Sequence, residues 1–184
     1  VSVTTGYTLK FASDVKTPVR TEAHWEISGT TAIYRAASTT AGYVLSNGNR
    51  NVNYTAASGG SQVTSVRGIK SGSSTDGLSI SGTTITVDAA LLNQKTVTAT
   101  NNYTLALASN VIQPSKIAAA WEVSGTTAIY KSEITTAGYS LASDRKSITY
   151  AAQTGGNTLV TVSGIKSGAP VSASFFVMSS APIF

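Results

Sequence analysis

No cysteine occurs in this chain, and there is a single histidine, a single methionine and only four prolines. Without cysteine there is no disulfide framework of the kind that small secreted eukaryotic domains rely on. The composition instead fits a bacterial or archaeal surface protein whose β modules are held by packing alone. Charge is also scarce. Charged residues make up 11% of the chain, against roughly 25% in an average soluble domain. Thr, Ser, Ala and Gly take their place and make a polar, uncharged β surface. The net charge is +5 and the isoelectric point about 9.5. The cations are dispersed along the chain, and only Arg145 and Lys146 are adjacent. Nucleic-acid binding needs a clustered basic stripe interleaved with aromatics, so no nucleic-acid partner is expected. Scattered cations fit solvated strand edges instead. No apolar run approaches the length of a membrane-spanning helix. The sequence begins at Val1, without Met or a signal-like segment, so either a signal has been removed or the chain has been trimmed, and removal of a signal is the expectation.

The same scarcity bears on chemistry. His24 is isolated, and at the matching position of the repeat described below stands Ala120. It reads as a surface residue rather than a base or metal ligand. The carboxylates are Asp14, Glu22, Glu26, Asp76, Asp88, Glu122, Glu133 and Asp144. They form neither a calcium loop nor the paired acids of a glycosidase. No Gly-x-Ser-x-Gly and no phosphate-binding loop is present. Catalytic, cofactor-binding and metal residues are therefore expected to be none, and the chain is not expected to be an enzyme. A self-formed Lys–Asn cross-link would need a carboxylate beside a buried pair. Lys10 aligns with Ala106, so no lysine there is common to both copies.

What is present is a repeat. Trp25-Glu26-Ile27-Ser28-Gly29-Thr30-Thr31-Ala32-Ile33-Tyr34 returns as Trp121-Glu122-Val123-Ser124-Gly125-Thr126-Thr127-Ala128-Ile129-Tyr130, and the offset, 121 minus 25, is 96. It runs without a gap from Thr4/Thr100 to Gly72/Gly168, with roughly half of the aligned positions identical. Tandem copies build length, valency or lateral packing, whereas a catalytic site is one asymmetric constellation. The fold expected is all-β: two tandem β-sandwich-like (Ig-like) modules related by the 96-residue repeat, with module 1 at 1–80 and module 2 at 81–184. Residues 73–99 form a strand-rich junction between them.

Strand signals dominate, with period-two alternation of Val, Ile, Thr and Tyr. Residues 7–11, 103–107, 147–150 and 158–162 read as strands. Ser-Gly between β-branched runs, at 28–29, 81–82 and 124–125, reads as a hairpin turn in which Gly supplies a positive φ. The Trp and Tyr of each full repeat then meet across the hairpin as core anchors. Asp88 caps the one plausible helical turn, at 88–93. Asn53-Tyr54-Thr55 and Asn102-Tyr103-Thr104 match the N-glycosylation pattern, and both lie on predicted strands.

The second copy is not followed by a full counterpart of residues 73–99. Its tail, residues 171–184, is the most apolar stretch and carries three of the four Phe. Two readings stay open: the last core strand of copy two, or a strand that completes a neighbouring subunit. The assembly residues on the second reading are Phe175, Phe176, Val177, Ile183 and Phe184, with Val1 and Val3 as a reciprocal edge. A separate ligand platform would use Trp25 and Trp121, since an exposed indole stacks on sugar rings.

The motifs at Tyr7 to Val15, Trp25 to Tyr34 and Thr39 to Tyr43, with their partners 96 residues on, resemble repeats of long tandem β-repeat surface proteins of bacteria. The resemblance covers most of the chain and implies an extracellular adhesive or scaffold role. It carries over no functional residues. The function expected is a structural subunit of an extracellular filament, pilus-like fibre or surface layer, assembling with copies of itself by strand-edge contacts. The alternative is a glycan- or surface-binding adhesin module, with a glycan as partner.

Overall fold

The computed structural model describes residues 1–171. The fold is all-β, with several sheets. The only helical pieces among the described residues are two single 3-10 turns, Thr75–Gly77 and Ala89–Leu91. Asp88 caps the second as its sequence suggests, its carboxylate accepting from the Ala90 N–H at 2.9 Å. Two compact units are present, Val1–Val111 with Leu141–Tyr150, and Ile112–Ser140 with Ala151–Phe184.

Each unit contains a Trp hairpin. In the first, His24–Ser28 pairs with Thr31–Arg35, which pairs in turn with Gln62–Arg67. In the second, Ala120–Ser124, Thr127–Lys131 and Thr158–Ser163 repeat the same registers 96 residues on, including the bulge after Tyr34 and after Tyr130. The turns close on Ser28↔Thr31, Ser124↔Thr127 and, in the junction, Ser81↔Thr84. Gly29, Gly125 and Gly82 hold φ values of 58, 58 and 56°, a region that a Cβ makes costly. Small ladders missed by the alternation pattern also recur. Arg20–Thr21, Ser38–Thr39 and Ser58–Gly59 form one, and Lys116–Ile117, Ile134–Thr135 and Thr154–Gly155 form the other. Strands of two residues are too short to leave a periodic signal.

The junction lies inside the first unit. Thr96–Ala99 sits between two partners. Its Thr98 and Ala99 oppose Arg67 and Val66 of copy one, and its Thr96, Val97 and Thr98 oppose Thr149, Ile148 and Ser147 of copy two. Leu78–Ser81 and Thr84–Val87 form a second sheet, to which Thr104–Leu107 adds in parallel, Ile85 opposite Leu105. Val66, Val97 and Ile148 on one sheet and Ile85, Val87 and Leu105 on the other are all at 0% exposure, as is Ile69. Among the described residues every buried hydrophobic side chain except Ala128 belongs to this first unit. The segment between the copies is thus the centre of a core.

Residues 7–11 are not a strand, although their alternation predicts one; their counterpart Thr104–Leu107 is. The two segments share a backbone hydrogen bond, Leu9 N–H to the Asn49 carbonyl at 2.7 Å and Leu105 N–H to the Arg145 carbonyl at 2.7 Å. The difference is the partner. Thr104–Leu107 adds to Thr84–Val87, and among the described residues nothing plays that part for residues 7–11. A β pattern becomes a ladder only where a second strand supplies the donors and acceptors. Asn102, read as a strand residue, sits in the turn before Thr104; Asn53 does lie on a strand, Asn51–Thr55.

The difference in burial predicts unequal costs for matched truncations. Ile148→Ala should destabilise the chain by about 2–5 kcal/mol, through lost transfer energy and the cavity left behind. Val52→Ala, at the matching half-exposed position of copy one, should cost clearly less. Urea denaturation of the two variants checks this, and equal costs would contradict the placement of the core.

Candidate assembly edges

Among the described residues, 1–3 are paired on one side only. The Val52 N–H donates to the Val1 carbonyl at 2.7 Å, the Val3 N–H donates to the Arg50 carbonyl at 2.9 Å, and Ser2 opposes Asn51. These contacts match those of copy two, where Thr98 opposes Ser147 and the Ala99 N–H donates to the Lys146 carbonyl at 3.1 Å. Thr98 and Ala99 have a second partner strand, whereas among the described residues Ser2 and Val3 have none. Val1 is 88% exposed, and its counterpart Val97 is at 0%. Beside it opens an apolar depression of about 530 Å3, walled by Val1, Phe11, Val15, Tyr43 and Val52. The counterparts of three of these walls, Val97, Val111 and Ile148, are buried.

The other end of the repeat shows the complementary gap. Gln62–Arg67 is covered by Thr96–Ala99 and the residue after it. The Thr100 N–H donates to the Ser65 carbonyl at 2.9 Å, and the Ser65 N–H donates back to the Thr100 hydroxyl oxygen at 2.9 Å. The two hydroxyls lie 3.0 Å apart, and the Thr64 hydroxyl donates to the Thr100 carbonyl at 3.1 Å. Thr64, Ser65 and Val66 are consequently buried. In the second unit Thr158–Ser163 is the last strand of its sheet, and among the described residues no strand pairs with its outer edge. Its Val160 and Thr161 are exposed and its Val162 half-exposed. Gly68 and Gly164 report the same difference. A Cβ on Gly68 would collide with the Thr96 carbonyl oxygen, and one on Gly164 would meet nothing within 4 Å.

The two tryptophans are half-buried rather than core residues. Trp25 leans on Tyr34 at 5.1 Å between ring centroids and 46° between planes, and Trp121 on Tyr130 at 5.2 Å and 45°. The hairpin does bring each pair together, as the spacing suggests. Part of each indole surface is already taken by its own tyrosine, and the Trp25 Nε1 is enclosed without an acceptor. The remaining residues singled out for assembly, Phe175, Phe176, Val177, Ile183 and Phe184, lie outside the described residues.

The difference between the two copies was within reach of the sequence, since residues 171–184 do not repeat the junction segment 73–99. The Thr100–Ser65 clamp was not legible, because the repeat shows Thr4/Thr100 and Ser65/Thr161 only as ordinary polar matches.

Charge is arranged locally. The Arg35 Nε donates to the Glu26 carboxylate at 2.8 Å, and His24 Nε2 lies 3.3 Å from the same oxygen. In the second unit Lys131 and Glu122 are paired at 2.7 Å. The hydrogen bond from Arg35 holds the Glu26 carboxyl below the usual carboxylate range; the charges of Arg35 and His24 add to this and desolvation opposes it. Arg20 does the same to Glu22 through a 2.9 Å hydrogen bond. Among the described residues no group of three His, Asp or Glu could hold a metal ion, and no helix is long and apolar enough to cross a membrane.

No protein-family model, no curated protein and no solved structure matches this chain.

A depressed folded-state carboxyl value makes the Glu26–Arg35 pair stabilising above the unfolded value, and that contribution disappears as pH falls through the folded value. The carboxyl carbon of Glu26, followed by NMR, should titrate below an unfolded-state glutamate, and Arg35→Met should move its midpoint upward. A midpoint indifferent to Arg35 would contradict the pairing.

Proposed function

We propose that this chain is a structural subunit of an extracellular filament, pilus-like fibre or surface layer. In this reading it is built of two tandem β-sandwich-like modules and joins copies of itself through strand edges. The observation that carries the reading is the outer edge of Thr158–Ser163. Strand edges exposed to solvent are ordinarily blunted by charge, proline or a bulge, because unpaired N–H and C=O groups recruit other strands. Thr158-Leu159-Val160-Thr161-Val162-Ser163 carries neither charge nor proline, and its one irregularity is the bulge at Leu159, opposite the Tyr130/Lys131 step. Leu159 and Val160 are 56% and 39% exposed. The covered counterpart of this strand ends in Arg67, so the charge stands where the edge is already filled. A strand edge without charge or proline along residues 160–163 suits a protein whose neighbours cover it.

The low charge and the absence of cysteine support an extracellular setting, and the repeat supports a role in building rather than in catalysis. The adhesin reading has less support, because each indole is partly covered by its own tyrosine.

The test is sedimentation velocity with negative-stain microscopy of the full chain over a range of concentrations at neutral pH. Particles larger than a monomer, growing with concentration, are the expected result. Thr161→Pro should abolish them. The Thr161 N–H corresponds to that of Ser65, which points away from Thr31–Arg35, so proline there removes an outward donor and spares the internal ladder. A chain that stays monodisperse and monomeric at every concentration overturns the reading and directs the search to glycan binding.

A further inference from the structure

We infer that the strand seated on the open edge of Thr158–Ser163 is the N-terminal segment of a second copy of this chain, in a register that the junction already displays. The inference rests on the structural-subunit reading and adds to it the identity of the donor and the pairing.

The argument is an equivalence. Each copy of the repeat begins with a short segment without charged side chains, Val1-Ser2-Val3-Thr4 in the first, where Ser2 forms a single bridge to Asn51, and Val97-Thr98-Ala99-Thr100 in the second. The second of these segments lies in the strand Thr96–Ala99, inserted between Gln62–Arg67 of copy one and Ser147–Ala151 of copy two. The first makes the corresponding contacts within its own copy, through Val52 and Arg50, and its other side is open. Among the described residues, no strand pairs with Thr158–Ser163 on the side where Gln62–Arg67 is filled. Among the described residues, then, 1–4 lack the partner that Thr98 and Ala99 find in Gln62–Arg67, and Thr158–Ser163 lacks the partner that Gln62–Arg67 finds in Thr96–Ala99. The junction shows how two such segments meet.

Transferring that register places Val3 opposite Val162 and Ser2 opposite Ser163, as Ala99 opposes Val66 and Thr98 opposes Arg67. It places Thr4 opposite Thr161, as Thr100 stands to Ser65. The hydroxyl and backbone exchange of that pair is chemically reproducible, since Thr4 is the same residue as Thr100 and Thr161 keeps the hydroxyl of Ser65. The apolar surfaces also match. Val162 and Ile165 are half-exposed where Val66 and Ile69 are at 0%. On the donor copy, Val1, Val52 and Val15 line the open depression where Val97, Ile148 and Val111 are buried. A head-to-tail contact of unlike surfaces leaves each new end open, so it propagates as a fibre unless the rotation closes a ring. The contact between copies is weaker than the junction within one. Thr84–Val87 adds to Thr104–Leu107 in the junction, and at the positions 96 residues on, 180–183, the sequence reads Ser-Ala-Pro-Ile in place of Thr-Ile-Thr-Val. Reversible, concentration-dependent growth follows.

The absence of cysteine makes the register directly readable. Val3→Cys and Val162→Cys are made as separate full-length variants, mixed and oxidised. The Ala99/Val66 pair that they copy lies between the hydrogen-bonded pairs of its ladder, where opposed Cα atoms are about 4.5 Å apart, within disulfide range. A mixed-disulfide dimer should form at least tenfold faster than with Val160→Cys, which displaces the register by two residues. Val66→Cys with Ala99→Cys in one chain is the positive control and should close an intramolecular bridge. Sedimentation of the same samples separates the outcomes. Assembly without any Val3–Val162 bridge overturns the N-terminal donor and leaves the subunit reading in place. Equal bridging at Val160 overturns the register. Monomers with no bridge overturn both.

Discussion

A β-strand inside a sheet needs hydrogen-bonding partners on both of its edges, and the whole first unit follows from where Thr96–Ala99 finds them. The strand is the first of the second copy, yet one of its edges completes the sheet of the first copy. Through its other edge it holds Ser147–Ala151, a strand of its own copy. Val97 is buried because of this double pairing, as are Val66 and Ile148 opposite its two edges. The Thr100 hydroxyl reaches the Ser65 amide because the strand continues one residue beyond the ladder. The Gly68 seat is narrow because the Thr96 carbonyl fills it.

The same constraint explains why the two halves of a repeated sequence do not look alike. Residues 1–11 and 97–107 are similar in pattern, and so are Gln62–Arg67 and Thr158–Ser163. What differs is whether a partner is present. Where it is, backbone groups are satisfied and Val, Ile and Leu reach zero exposure. Where it is not, Val1 and Leu159 remain in solvent. Among the described residues, the repeat forms one filled junction and leaves two halves of it without a partner. The proposed assembly is a contact between those halves.

Much of the local structure was legible in the sequence. Ser-Gly between β-branched runs specified three hairpins, because a two-residue turn needs a residue that tolerates positive φ. Asp88 specified the start of a helical turn, because its carboxylate replaces a missing acceptor for a free N–H. Period two specified the strands at 103–107, 147–150 and 158–162. It failed at residues 7–11, where the pattern is present and the partner is not. It also overrated Trp25 and Trp121 as core anchors. Size and hairpin position bring each against a tyrosine, yet the buried centre forms around the junction, from side chains of Val, Ile and Leu.

The all-β class, the turn positions and the repetition in the sequence were therefore determined by the sequence alone, since each rests on preferences acting over a few residues or on identity at a fixed offset. The tertiary structure decided which edges are filled, where the core lies and which copy of a duplicated strand is exposed. Those outcomes depend on partners far apart in the chain. Arg67 meets Thr98 and Thr149 meets Thr96, and no local pattern distinguishes a strand with two neighbours from a strand with one.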